Sequence, residues 1–359
     1  MPLAVRAVLA AAVVLALALP ATASAKPPPG FVGLSADDLF GRAGSYRDKG
    51  LAMQQAAGVQ VLRVTFDWSL MEVPTPNSFD FTFYDAYVLD AAKHNITFLP
   101  VLLKAPEFYS KKPGTRFAFQ PRDNAPMARW ATMLVDRYGP NGTLWQSNPG
   151  VTPHPITAWQ IWNEPNLKQY WYPKPNASQY RSMLQTVGAA IKSRDPNAEI
   201  VTAGMPDSRL STAIRLAPYL KALYKGGGSS AFDTLAINSY AVSPKFLGKL
   251  MTSTRKLVNR IGGRSDKLRI TEVGWCDKGY KSRFCVGSKR QAKFIGQSIS
   301  LMKKQRKAWK LQGFVLFSWR DGKPYVKNKD FWGNHTGLLT IKGKKKPAYK
   351  AFTRAVKRL

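Results

Sequence analysis

The chain has 359 residues, 45% of them hydrophobic and 12% aromatic, which is enough to bury one large core and argues against disorder. A net charge of +33 invites anionic partners, yet the sequence contains no helix-turn-helix, zinc-finger or ribonucleoprotein pattern to support nucleic-acid recognition. The cations read as scattered along the chain and thickest over Lys303–Lys310 and Lys342–Lys350, so the expectation is a solvated basic exterior with loose attraction to anionic envelopes or acidic polysaccharides.

From the N-terminus, Arg6, the apolar run Val8–Leu19 and the triplet Ala23-Ser24-Ala25 have the layout of a secretory signal peptide cleaved after Ala25. No later stretch is long enough for a membrane span, so no membrane insertion is expected. The Pro-rich residues 26–30 read as a short linker, and residues 31–359 as one domain.

In that domain, apolar strand-like runs recur at Phe31–Ser35, Val61–Phe66, Thr97–Leu103, Ile156–Trp162, Glu199–Ala203, Asp233–Ser239, Leu268–Val273 and Gly313–Ser318. Between and after them, residues spaced by three and four predict helices over Tyr46–Ala57, Tyr84–His94, Ala125–Tyr138, Ser178–Arg194, Thr212–Tyr224, Pro244–Ile261, Arg290–Lys307 and Ala348–Lys357. Asp195-Pro196, Gly226-Gly227-Gly228 and Gly262-Gly263 stop three of these helices. Eight β-then-α units with nearly continuous apolar strands predict an α/β fold, the (β/α)₈ TIM barrel. An open doubly wound sheet is the alternative, but no G-x-G-x-x-G follows the first strand. Gly139–Pro155 is the longest loop and, preceding a strand, should lie at the structural end of the barrel.

Reactive groups of such a barrel gather at the C-terminal ends of the strands. There the sequence offers Arg63, Asp67 and Trp68, then Lys104, Asn163 and Glu164, Met205, Asn238 and Tyr240, Glu272 and Trp275, and finally Trp319, Arg320 and Asp321. Two acids, an arginine, a tyrosine, an amide and several indoles are the vocabulary of sugar binding. The three histidines, His94, His154 and His335, share no ligand or triad spacing, so no metal and no cofactor are expected. Cys276 and Cys285 lie nine positions apart in a chain read as exported, which predicts a disulfide closing the loop after Glu272.

W-N-E-P-N at 162–166, T-E-V-G-W at 271–275 and F-S-W at 317–319 together resemble the clan A glycoside hydrolases, retaining (β/α)₈ enzymes with acids at the ends of strands four and seven. DWSLMEVPTPNSFDFTFYD at 67–85 and TGLLTIKGKKKPAYKAF at 336–352 extend the likeness over essentially the whole mature chain. Asn-Glu-Pro-Asn followed by Tyr170-Trp171-Tyr172 is similar to family 39 and to some family 5 members, with family 39 preferred. The resemblance implies that Glu164 is the general acid/base and Glu272 the nucleophile, about 5–5.5 Å apart as retention requires. Arg63 would keep Glu272 ionised, Tyr240 would donate to it, and Asn163 would contact the sugar 2-hydroxyl. Trp319 would be the platform for the pyranose ring, with Trp68, Trp171 and Trp275 extending it to further subsites. Asn238-Ser239-Tyr240 departs from the pattern, since many members carry a His two residues before the Tyr.

The expected activity is hydrolysis of a β-linked oligo- or polysaccharide by a secreted monomer, as in a family 39-like β-xylosidase or endo-glycosidase. A family 5-like endo-β-glucanase or mannanase is the alternative, and a non-catalytic carbohydrate- or envelope-binding barrel is the alternative of another class.

Overall fold

The computed structural model describes residues 26–278, 281–323 and 330–359. The expected leader, residues 1–25, lies outside the described residues. Eight parallel strands close into one barrel in sequence order: β1 (Val32–Ser35), β2 (Val61–Asp67), β3 (Thr97–Leu103), β4 (Ala158–Ile161), β5 (Glu199–Thr202), β6 (Thr234–Asn238), β7 (Lys267–Val273) and β8 (Leu311–Leu316). Helices α1 (Ser45–Ala56), α2 (Trp68–Met71), α3 (Thr82–Lys93), α4 (Ala125–Tyr138), α5 (Thr143–Gln146), α6 (Ala177–Arg194), α7 (Leu216–Tyr224), α8 (Pro244–Arg260), α9 (Ser288–Trp309) and α10 (Pro347–Val356) make up the outer layer. The single-domain TIM barrel expected from the alternation is therefore the observed architecture.

Closure depends on β1 pairing with β8, Gly33 standing opposite Val315. A Cβ on Gly33 would come within 2.9 Å of both the Phe314 carbonyl and the Val315 side chain, so a larger residue would push the closing pair apart. Apolar side chains occupy two zones. Val61, Leu99, Val201 and Ala236 form a small cluster of their own; the large cluster lies between strands and helices and includes Trp130, Trp159, Tyr180 and Tyr219. In β2 and β4 the alternation of strand side chains then places Arg63 on the face of Val61, and Gln160 on that of Ala158, which packs against the same small cluster. Both point into the barrel, towards its mouth.

Two elements escape periodicity. The loop Gly139–Pro155 contains the one-turn helix α5, with Trp145 bonded to the carbonyls of Tyr138 and Gly139 at 3.3 and 3.1 Å. Helix α7 starts at Leu216 rather than Thr212, because the chain just before it is held elsewhere: Ile214 N–H donates to the Asn166 carbonyl at 2.9 Å, and Arg215 makes a two-bond pair with Asp207. Among the described residues no helix is long and apolar enough to cross a membrane.

Candidate active site

The site is built on the ends of β2, β4, β6 and β7. As the chain leaves β4, Trp162 and Glu164 adopt left-handed backbone conformations, with φ of 72° and 44°. Residues with a Cβ pay for this conformation, and such strain persists where surrounding structure fixes it. The fixing contacts are present. Trp162 N–H donates to the Leu102 carbonyl at 3.0 Å, Glu164 N–H to the Gly204 carbonyl at 3.2 Å, and Asn166 Nδ2 to the carbonyls of Pro206 and Ile214, both at 2.9 Å. The second asparagine of the W-N-E-P-N segment is thus an anchor between loops.

Arg63 organises the acids. Its Nη1 bonds Glu272 Oε1 at 2.8 Å, its Nη2 bonds Asn163 Oδ1 at 2.9 Å, and its Nε bonds Gln160 Oε1 at 2.8 Å. The Tyr240 hydroxyl donates to the other Glu272 oxygen. Both oxygens of Glu272 therefore receive donors, one of them a cation. Glu164 has a poorer set: Oε1 accepts from Asn238 Nδ2 at 2.8 Å. Burial first, and then the nearby Glu272 charge, raise its pKa to about 8 against the pull of the Asn238 bond and Arg63. Two carboxyl groups in one enclosure thus have unlike partners, and the one with the poorer set, Glu164, is pushed towards its protonated form.

Asn238 does not take its place by chance. The register shifts at Ile237/Asn238, bringing Asn238 opposite Glu272. Thr271 Oγ1 donates to Asn238 Oδ1 at 2.9 Å, which turns the amide nitrogen towards Glu164. Space for the amide comes from Gly204, where a Cβ would stand 2.1 Å from Asn238 Oδ1 and 2.4 Å from Thr271 Oγ1.

The indoles are a correction to the sequence reading. The two acids keep 9% and 8% of their surface in contact with solvent, whereas Trp68, Trp275 and Trp319 keep none and Trp171 only 1%. Trp68 stacks on Trp130 at 5.4 Å and bonds Glu72 Oε2 at 2.6 Å. Trp171 meets Trp162 and Tyr180 edge-on and bonds Gln179 at 3.0 Å. Trp275 donates to the Ala241 carbonyl at 2.7 Å, and Trp319 lies against Tyr349 at 6.1 Å. None presents a face to a ligand. Each sits one or a few residues past a strand end, where a turn can send the side chain into the helical layer as easily as into the mouth.

The aromatic surface beside the acids comes from other residues. Tyr240 meets the half-buried Phe317 edge-on at 6.2 Å and the half-buried Trp332 at 4.7 Å, and Phe284 packs on Trp332 at 4.9 Å. Phe284 is positioned through the predicted Cys276–Cys285 disulfide, which is present and ties its loop to the end of β7. Tyr170 was also missed as a site residue. Its carbonyl accepts from Trp162 Nε1 at 3.0 Å, and its hydroxyl interacts with the Asn163 amide; burial, followed by the Glu164 and Glu272 charges, raises its pKa. Its place directly before Trp171 was the available signal. Two further strand-end groups are held in ion pairs: Lys104 with Asp67 at 3.0 Å, and Asp321 with the buried Lys346, which also reaches Asp277 at 3.1 Å.

Solved structures of glycoside hydrolases share the closed (β/α)₈ fold of this chain. The chain aligns over 91% of its length with a family 39 glycoside hydrolase from Bacteroides cellulosilyticus WH2, at 16% identity and a TM-score of 0.64, and spans 63% of that protein. A family 39 β-xylosidase from Caulobacter crescentus gives 18% identity and a TM-score of 0.65, over 92% of this chain and 72% of that one. A family 5 mannosidase from Rhizomucor miehei gives 11% identity and a TM-score of 0.61, over 93% of each. No protein-family model matches the chain, and no curated protein does.

Proposed function

We propose that this protein is a retaining glycosidase acting on a β-linked oligo- or polysaccharide, with Glu272 as nucleophile and Glu164 as general acid/base. The observation that carries this reading is the contrast between the acids: Glu272 is gripped by Arg63 and Tyr240, while Glu164, its pKa raised to about 8, holds a proton at neutral pH. A Glu272 oxygen attacks the anomeric carbon as its bond to the leaving oxygen breaks, and Glu164 gives that oxygen its proton. Glu164, now a carboxylate, takes a proton from water as the water oxygen displaces Glu272 from the sugar, returning both acids to their starting states.

Asn163, its Oδ1 held by Arg63, has two N–H donors on its amide nitrogen, so that one can serve the Tyr170 hydroxyl and the other a sugar hydroxyl, and Phe317 with Trp332 supplies apolar surface for a pyranose. The finer reading is a family 39-like β-xylosidase or endo-glycosidase, in keeping with the fold shared with the Caulobacter β-xylosidase. The Cys276–Cys285 disulfide suits the oxidising compartment that an exported chain would reach.

A panel of aryl β-glycosides and soluble polysaccharides tests the proposal with wild type, Glu272→Gln and Glu164→Ala. Glu272→Gln should lose nearly all turnover. Glu164→Ala should keep measurable activity only on substrates with good leaving groups. Equal activity of all three proteins on every cleaved substrate would end the assignment.

A further inference from the structure

The positive charge is not scattered as the sequence reading had it. The segment from Pro244 to Leu359 holds 31 of the 54 Lys and Arg residues but five of the 21 Asp and Glu residues. Helices α8, α9 and α10, which are neighbours on the barrel exterior, contain no acidic residue at all. Of those five acids, Glu272 is bound to Arg63, Asp277 and Asp321 to the buried Lys346, and Asp330 to His335. Asp266 accepts from the Tyr224 hydroxyl at 2.6 Å. The segment's acids are therefore engaged with partners of their own, and none of them lies on these three helices.

This surface has a shape as well as a sign. An open cleft of about 650 Å³ crosses α9, lined by Lys245 from the start of α8, Arg354 and Arg358 from α10 and its end, and small residues including Gly296, Ser300 and Ala355. Gly296 is an ordinary helical position with open space where a Cβ would stand, so the groove floor is low for lack of side chains. Among the described residues, no carboxylate forms an ion pair with Lys245, Arg354 or Arg358.

We propose that the α8–α9–α10 face is a docking site for a linear acidic polysaccharide, one bearing regularly spaced carboxylates, separate from the barrel mouth. Charge complementarity and the groove carry the polyanion part; the choice of a glycan rests on the glycosidase reading of the mouth and on the lining. The cleft contains no aromatic side chain on which nucleobases could stack, which single-stranded nucleic-acid sites use. Binding of this kind releases counterions from the polymer, so it weakens steeply with salt.

The test measures binding of polygalacturonate, and of neutral xylan, a polyol phosphate and duplex DNA as the alternatives, to the full chain carrying Glu272→Gln, so that turnover does not consume the probe. In the same background, Lys245→Glu/Arg354→Glu/Arg358→Glu should weaken binding of polygalacturonate by at least ~10-fold at about 50 mM salt and flatten its salt dependence. Lys49→Glu/Lys221→Glu/Lys225→Glu, an equal reversal on exposed positions elsewhere, should change it less than ~3-fold. Returned to the wild-type active site, the groove variant should hydrolyse small aryl glycosides within about twofold of wild type, since its residues lie on the helical layer. Equal losses from the two triple variants, absence of polygalacturonate binding, or tighter binding of DNA or of the polyol phosphate than of polygalacturonate would each overturn the proposal. Failure of the glycosidase reading would appear separately, as absence of aryl-glycoside turnover.

Discussion

Glu164→Gln should make the protein more stable, and increasingly so as pH rises. Gln keeps the shape of Glu164 and its carbonyl can still accept from Asn238 Nδ2, but it carries no proton to lose. In the native protein the Glu164 pKa is raised from 4.5 to about 8. The native state therefore holds a proton that the unfolded chain releases, and stability falls as pH rises through that window. Each pH unit between 5 and 8 costs roughly 1.4 kcal/mol, or about 4 kcal/mol across the interval. The variant escapes this loss. For a chain of this size the unfolding entropy is on the order of 0.7 kcal/mol/K, so the Tm advantage of Glu164→Gln should grow by about 6 °C between pH 5 and pH 8. Paired thermal denaturation curves at several pH values measure it. A Tm difference that stays flat with pH would mean that Glu164 is not protonated at neutral pH, and the acid/base assignment would lose its physical basis.

Wild-type kcat/KM on aryl glycosides with poor leaving groups should fall above about pH 8, as the Glu164 proton is lost, and this alkaline limb should be absent from the residual activity of Glu164→Gln. Gly204→Ala should cost at least ~10-fold in kcat with the fold retained, because the new Cβ evicts Asn238; removing the Asn238 donor should also move the alkaline limb to higher pH. Trp68→Ala or Trp275→Ala should destabilise by about 3–5 kcal/mol in denaturant melts, whereas Trp332→Ala should raise KM with little change in Tm. Lys346→Met leaves Asp277 and Asp321 buried without their cation and should cost about 3–5 kcal/mol in the same melts.

The barrel was legible because parallel strands covered on both sides are apolar throughout, and because Gly and Asp-Pro breaks mark the helix ends. Burial on one face of α4, from Met127 to Tyr138, follows the three-and-four spacing directly. The two acids, Arg63 and Tyr240 were legible for a different reason: a polar residue within or just past an otherwise apolar strand stands out, and in the structure Arg63 and Tyr240 both bond Glu272 while Glu164 is held by Asn238. The sugar platform was not. An indole after a strand looks the same in sequence whether the next turn sends it inward or outward. Trp68 goes to the core because Asp67 starts a short helix there, while Trp332 reaches the site from a 3₁₀ turn well beyond the last strand. Asn238 was read as the loss of a histidine, although its role depends on a register shift and on Gly204, neither of which leaves a periodic trace.

Incubation with a 2-deoxy-2-fluoro aryl β-glycoside matched to whichever sugar is cleaved, followed by peptide mass spectrometry, addresses the division of labour between the acids most directly. The fluorine slows both formation and release of the sugar ester, and a good aryl leaving group such as dinitrophenolate speeds formation alone, so the ester accumulates. The peptide containing Glu272 should gain the mass of one fluorosugar, with the modification on that side chain. A label on Glu164 instead, or turnover of the unmodified glycoside with no labelled peptide at all, would contradict a covalent intermediate on Glu272.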